Sequence, residues 1–153
     1  QLPEITKPGA RILDMGCGYG TAGVILSRIY GEDVDVVMAD VNRRAVELAK
    51  RNLELNGASA EVILSDGFGR LTGSFDYIIL NPPIHAGKAV IYRMYEDSRE
   101  YLNTGGALCL VIRKKHGALS HKQKLGEIFG KQPENLSVLY SKKGIYVFKC
   151  VKT

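Results

Sequence analysis

Asp14-Met15-Gly16-Cys17-Gly18-Tyr19-Gly20 is the stretch on which the fold turns. Residues 11–15, just ahead of and into it, read as a strand, and residues 21–30 behind it read as a helix. Glycines at such a junction let the backbone turn sharply and approach a ligand closely, and the helix that follows offers unpaired N–H groups. Gly18-Tyr19-Gly20-Thr21-Ala22-Gly23 also satisfies the GxGxxG pattern of a dinucleotide site. A tight strand–helix turn with no ligand would use the same residues.

Outward from this junction, short apolar runs alternate with helix-like segments. Residues 34–39 read as a second strand ending at Asp40. Asn42 caps a helix that runs to about residue 56, where Gly57 stops it, with Ala45, Ala49 and Leu53 as its buried stripe. Residues 60–64 and 75–80 read as the third and fourth strands, and residues 88–102 as a helix ended by Gly105-Gly106. Residues 107–113 read as a fifth strand and 120–129 as a short helix. Strands over 136–140 and 145–151 are joined by a hairpin turn at Ser141-Lys142-Lys143-Gly144. The pattern predicts one domain over residues 1–153 with an α/β architecture: a doubly wound, mostly parallel, seven-stranded sheet with a C-terminal antiparallel hairpin. Ligands of such sheets sit beyond the carboxyl ends of the strands.

Composition narrows the class. The 153 residues are 45% hydrophobic and 24% charged, which excludes a disordered chain, a collagen-like repeat and a disulfide-dense mini-protein. No apolar run is long enough to span a membrane, and no basic-then-apolar leader opens the chain, so a cytoplasmic location is expected. Cys17, Cys109 and Cys150 form no CxxC pair, so neither a metal site nor a disulfide framework is indicated. The net charge of +5 is unevenly placed: residues 1–112 carry −3 and residues 113–153 carry +8. That asymmetry points to an anionic partner, nucleic acid first, against the alternative of a solvated basic face.

The strand ends carry the unusual residues. Asp14, just ahead of the glycines, repels a pyrophosphate and suits a cationic amino-acid ligand, which favours S-adenosylmethionine over a dinucleotide. Asp40 can accept from both ribose hydroxyls of either ligand. In Asp66-Gly67-Phe68, Asp66 is placed to accept the adenine amino group and Phe68 to cover the base, against a solvated loop acid as the alternative. Asn81-Pro82-Pro83-Ile84-His85-Ala86-Gly87 ends the fourth strand. Consecutive prolines cannot donate to a sheet, and they fit a chain that leaves the sheet rigidly with its carbonyls aimed into a pocket. The Asn81 side-chain oxygen and the Pro82 carbonyl are then two acceptors for the two N–H bonds of an exocyclic amine, a positioning catalysis that needs no strong base. A structural Pro-Pro turn is the alternative.

Together Asp14-x-Gly-x-Gly-x-Gly, Asp40, Asp66 and Asn81-Pro82-Pro83 resemble a class I S-adenosylmethionine-dependent methyltransferase. Asn81-Pro82-Pro83-Ile84-His85-Ala86-Gly87-Lys88 is similar to the "methyltransferase small" family, which includes RsmC-type enzymes acting on guanine N2 of small-subunit ribosomal RNA. The resemblance implies that Gly16, Cys17, Gly18 and Gly20 line the methionine end of the cofactor, with Asp14 near its ammonium. Asp40 and Val41 would hold the ribose side, Asp66, Gly67 and Phe68 the adenine, and Asn81, Pro82 and Pro83 the target amine. Ile84 stands where many members carry a stacking aromatic. His85 lies beside the proposed pocket, as a substrate contact or, alternatively, as an orienting hydrogen bond or cap. Members usually carry sequence ahead of the glycine motif, so a chain that starts at Gln1 is expected to lack an upstream segment.

Lys114 and Lys115 leave the fifth strand at the rim and are expected to contact RNA phosphates. Lys122, Lys124, Lys142 and Lys143 extend the basic surface, and Lys88 meets a phosphate or merely opens its helix. His116 and His121 read as surface or loop residues. The expected activity is methyl transfer from S-adenosylmethionine to an exocyclic amine, guanine N2 of ribosomal RNA first, with free RNA or a ribosomal subunit as partner. Adenine N6, a protein glutamine amide, and a non-catalytic RNA-binding module are the alternatives. An NAD-dependent oxidoreductase is disfavoured by Asp14 and the Asn-Pro-Pro cluster.

Overall fold

The computed structural model describes residues 7–153, which fall into two compact units, one up to Phe75 and one from Asp76 to Thr153. The expectation about sequence ahead of the glycine motif falls partly on residues 1–6, outside the described residues.

The first unit builds three parallel strands. β1 (Ala10–Met15) pairs with β2 (Val34–Asp40) from Ala10↔Val34 to Met15↔Ala39, and β2 pairs with β3 (Glu61–Leu64) from Val37↔Glu61 to Asp40↔Leu64. Ile12, Leu13, Asp14 and Met15 are buried in succession, as are Val36, Val37, Met38 and Ala39. Consecutive burial means that both faces of these strands are covered, as in a parallel sheet reached by helical crossovers. Helix α1 (Thr21–Tyr30) lies very close to β2: a Cβ on Gly23 would stand 2.5 Å from Met38 Sδ, and one on Gly20 would stand 2.8 Å from Met38 Cε.

Helix α2 (Arg43–Leu55) begins where expected, since the Asn42 side chain accepts from the N–H groups of Arg44 and Ala45. It ends at Gly57 (φ 58°): Gly57 N–H donates to Glu54 O and Ala58 N–H to Leu53 O, which satisfies carbonyls that the helix leaves open. Its buried stripe is Val46, Ala49 and Leu53, one position round from expectation. Ala45 is only half-buried, because the helix presents the bulkier branched side chain to the sheet.

The second unit orders its strands β4-β5-β7-β6, with β4 (Phe75–Leu80) beginning at the boundary. Helix α3 (Lys88–Tyr101) leads into β5 (Leu102–Arg113), and helix α4 (Ala118–Phe129) precedes β6 (Leu136–Lys142) and β7 (Ile145–Val151). β7 is antiparallel to both β5 and β6. Among the described residues seven strands are ordered into the sheet, and these antiparallel pairs make it mixed.

Three expectations are corrected here. Gly105-Gly106 do not end an element: β5 starts at Leu102 and runs through them. Gly105 (φ 82°) kinks the strand and donates to Lys152 O at 2.6 Å, while Lys152 N–H donates to Gly106 O, so pairing continues across the bend. The hairpin turn is also shorter. Ser141 and Lys142 belong to β6, and Lys143-Gly144, both with positive φ, form a two-residue loop whose twist matches the flanking strands. Finally, His121 is no surface residue but 1% exposed, on α4. The buried Tyr95 hydroxyl of α3 meets its Nδ1 at 2.9 Å, and Tyr92 packs edge-on against the ring. Burial first, then the Lys88 charge, holds the imidazole below its usual range, so it is a neutral pin between α3 and α4.

A substitution tests the close approach of α1. Gly23→Ala improves helix propensity but forces a methyl into Met38, and the overpacking should dominate with a net loss of about 1–2 kcal/mol. In a urea-unfolding double-mutant cycle, Met38→Val should recover part of that loss. Strictly additive effects would refute the contact.

Candidate functional site

In the first unit the predicted residues gather at the carboxyl ends of β1, β2 and β3. Asp14 is the fifth residue of β1 and is 3% exposed. Its Oδ2 accepts from Gly23 N–H at 3.0 Å, one of the open donors of the first turn of α1, whose own N-cap, Gly20, has no side chain to offer. No cation partners this carboxylate among the described residues. Burial, with Asp40 as a lesser like charge, pushes the Asp14 carboxyl up to about 6, and the Gly23 bond opposes the rise.

The glycine loop is anchored on β2. Gly16 and Cys17 N–H both donate to Ala39 O, Gly20 N–H donates to Cys17 O, and Gly18 N–H donates to Asp40 Oδ2 at 2.9 Å. Gly16, Gly18 and Gly20 all have positive φ, and the space beside Gly18, where a Cβ would stand, is open. Gly20 instead abuts Met38 and Ala49, so its missing Cβ serves packing. The Cys17 thiol is buried, and burial and then Asp14 push it up to about 12, which leaves it unreactive.

Asp40 is half-buried, and its second oxygen accepts from Asn42 N–H at 2.9 Å. Val41 beside it is 68% exposed. Asp66 is exposed, Gly67 has φ 55°, and Phe68 is buried. Two residues that frame this region escaped the sequence reading. Buried Ser65 donates from Oγ to Gly67 O and accepts from Arg70 N–H, which shapes the Asp66–Phe68 loop. Asn52 of α2 donates to Tyr19 O at 2.7 Å and clamps the glycine loop. The only sequence signal for either was a polar residue at an otherwise apolar strand end or inside a helix.

The second unit holds the remaining predicted residues. After β4, Asn81 is exposed, Pro82 is buried and Pro83 is exposed. The chain then makes a single 3-10 turn over Ile84–Ala86, closed by Ala86 N–H on Pro83 O, before Gly87 (φ 92°) opens α3. Among the described residues neither the Asn81 side chain nor the Pro82 carbonyl has a hydrogen-bond partner. Ile84 is half-buried and His85 exposed. Lys114 and Lys115 are exposed on the turn after β5. Among the described residues no helix is long and apolar enough to cross a membrane, and no group of three or more His, Cys, Asp or Glu is placed to hold a metal.

The profile of the methyltransferase small domain matches residues 2–149. An uncharacterised Bacillus subtilis protein, YbxB, is 43% identical over 92% of this chain and 69% of its own length. Ribosomal RNA small subunit methyltransferase C of Chromohalobacter salexigens is 34% identical over 95% of the chain but 42% of its own length. Among solved structures, the T. thermophilus 16S rRNA N2 G1207 methyltransferase (RsmC), in complex with AdoMet and guanosine, superposes with a TM-score of 0.81 at 28% identity, covering 95% of this chain and 38% of that one. A Pyrococcus furiosus methyltransferase superposes with a TM-score of 0.75 at 25% identity, covering 97% and 77%. The chain thus spans less than half the length of these ribosomal RNA methyltransferases. With the mixed seven-stranded sheet and its β5-β7-β6 antiparallel end, the fold is that of a Rossmann-like α/β methyltransferase, and the chain belongs to the methyltransferase small domain family.

Proposed function

We propose that the chain transfers a methyl group from S-adenosylmethionine to an exocyclic amine, guanine N2 of small-subunit ribosomal RNA, in the cytoplasm. The observation that carries the reading is the exit of β4: an exposed, unpartnered Asn81 amide and an unpartnered Pro82 carbonyl on a Pro-Pro frame. An acceptor pair that stiff can hold both N–H bonds of an NH2 group and leave the nitrogen lone pair free to attack. The nitrogen then carries one proton too many, is strongly acidic, and releases it without a dedicated base. Ile84 and His85 would flank the base, which must leave its stack to reach this position. The relatives' names support RNA and guanine as substrate.

The first unit fits the cofactor. A buried carboxylate with no cation partner suits an ammonium, so Asp14 would hold the methionine end with Gly16, Cys17, Gly18 and Gly20 as backbone neighbours. Asp40, whose oxygens keep lone pairs beyond their two N–H bonds, would take the ribose hydroxyls beside Val41. Asp66, Gly67 and Phe68 would border the adenine. When bound, S-adenosylmethionine would supply the electrophilic methyl on its sulfonium, and the electron pair of the broken sulfur–methyl bond would stay on sulfur in the neutral thioether S-adenosylhomocysteine.

Incubation with labelled methyl donor and separate RNA and protein pools, followed by mass spectrometry, tests the reading. Label on guanine N2 is expected. Label on adenine N6 or a glutamine amide would reassign the substrate, and no label in either pool would remove the activity. Asn81→Ala should lower kcat by about two to three orders of magnitude, the range seen when one fixed transition-state partner is removed. Its affinity for S-adenosylmethionine, by calorimetry, should stay close to that of the parent chain.

Asp14 gives a second test. Its folded-state value, about 6, lies above the ordinary 3.8, so the folded chain prefers the protonated form. The stability this confers is full below 3.8 and is lost as pH rises through about 6. Without cofactor, Asp14→Asn should therefore melt like the parent at pH 4 and gain about 2–3 kcal/mol relative to it at pH 8. The same change should weaken S-adenosylmethionine binding by about ten-fold or more, through loss of the charge partner. Undiminished binding would remove Asp14 from the cofactor site.

A further inference from the structure

The second unit holds a cation cluster that the chemistry above does not use. Arg113 ends β5, Lys114 and Lys115 form the turn behind it, and Lys143 sits at the tip of the β6–β7 hairpin. With Gly144 and Ile145 they line an open concavity of ≈ 690 Å³. Its frame is set by backbone: Lys114 N–H donates to Gly144 O at 2.7 Å, and Arg113 pairs with Ile145 across the ladder. Its charge is uncompensated: none of the four cations joins an ion pair among the described residues. After Arg113 the chain has only two carboxylate side chains, Glu127 and Glu134, and Glu127 lies 3.9 Å from Lys124. Lys143 is also the one described non-glycine residue with positive φ, 53°. Asn, Asp or Gly would sit in that turn position with less strain, so the lysine stands there against local preference.

A fifth cation, Lys88, lies close to the turn that follows these lysines. Gly117 lies two residues past Lys115, and a Cβ on it would stand 4.0 Å from Lys88 Nζ. Lys88 directly follows the Asn81–Gly87 loop. Cations on a fixed frame, with no acid among them, select a polyanion by charge and spacing rather than by base identity. We propose that Arg113, Lys114, Lys115 and Lys143 form a cradle for the phosphodiester backbone of the RNA substrate, continued by Lys88 toward Asn81. This rests on the RNA reading above and adds where the backbone is held.

Fluorescence anisotropy with a labelled RNA stem–loop, over a salt series, tests it. The variant is Lys114→Gln/Lys115→Gln/Lys143→Asn, in which Asn retains the turn. The control is Arg44→Gln/Lys50→Gln/Arg51→Gln on the exposed face of α2, which removes the same charge elsewhere. The cradle variant should bind RNA about ten-fold or more weakly at low salt and lower the salt slope by roughly two to three. The control should change little, and both should bind S-adenosylmethionine like the parent. An unchanged slope, an equal effect of the control, heparin binding without RNA binding, or no RNA binding by the parent chain would each overturn the proposal. If the triple variant melts early, Lys114→Gln/Lys115→Gln, which leaves the turn untouched, decides the matter. RNA held through these lysines but never methylated would keep the cradle and remove the proposed activity. Methylation with an untouched salt slope would do the reverse.

Discussion

The carboxyl end of β2 depends on one carboxylate. Asp40 accepts the Gly18 N–H with one oxygen and the Asn42 N–H with the other, and its own carbonyl accepts from Ser65 N–H. One residue thereby fixes the glycine loop, the entry to α2 and the loop after β3. A side chain that could only donate would leave the two N–H groups open. A neutral acceptor would serve one of them well and the other poorly, because charge-assisted bonds are the stronger. The loop can follow Asp40 only because Gly16, Gly18 and Gly20 tolerate positive φ.

Asp14 is a different kind of carboxylate. It is buried, it serves a helix N-terminus through Gly23, and it is held against its preference for water. Such a group destabilises the empty chain at neutral pH, and a cationic ligand would relieve that cost. The two acids are coupled, since Asp40 raises Asp14 further. The first unit therefore has one acid that builds the loop and one acid left in search of a charge.

The second unit shows the opposite sign. Its sheet inserts β7 between β5 and β6, joined to β6 by a tight hairpin, and β5 carries Gly105 at positive φ. That hairpin returns to the end of β5 through the Lys114–Gly144 bond, so lysines distant in sequence meet on one frame. The neutral His121–Tyr95 pair fastens α3 to α4 without adding charge.

Much of this was legible in the sequence. Apolar periodicity located the seven strands and four α-helices of the described residues, and Asn42 and Gly57 marked both ends of α2, because capping and positive φ are local requirements. The side-chain types at the strand ends, Asp14, Asp40 and Asn81, marked where chemistry was expected. What the sequence could not supply was everything set by contact between distant residues. The burial of His121, the passage of β5 through Gly105-Gly106, the framing roles of Ser65 and Asn52, and the gathering of Lys143 with Lys114 and Lys115 all arise that way. Local propensity is a property of a few neighbouring residues. Desolvation, kinked pairing and summed charge depend on which segments the folded sheet places side by side.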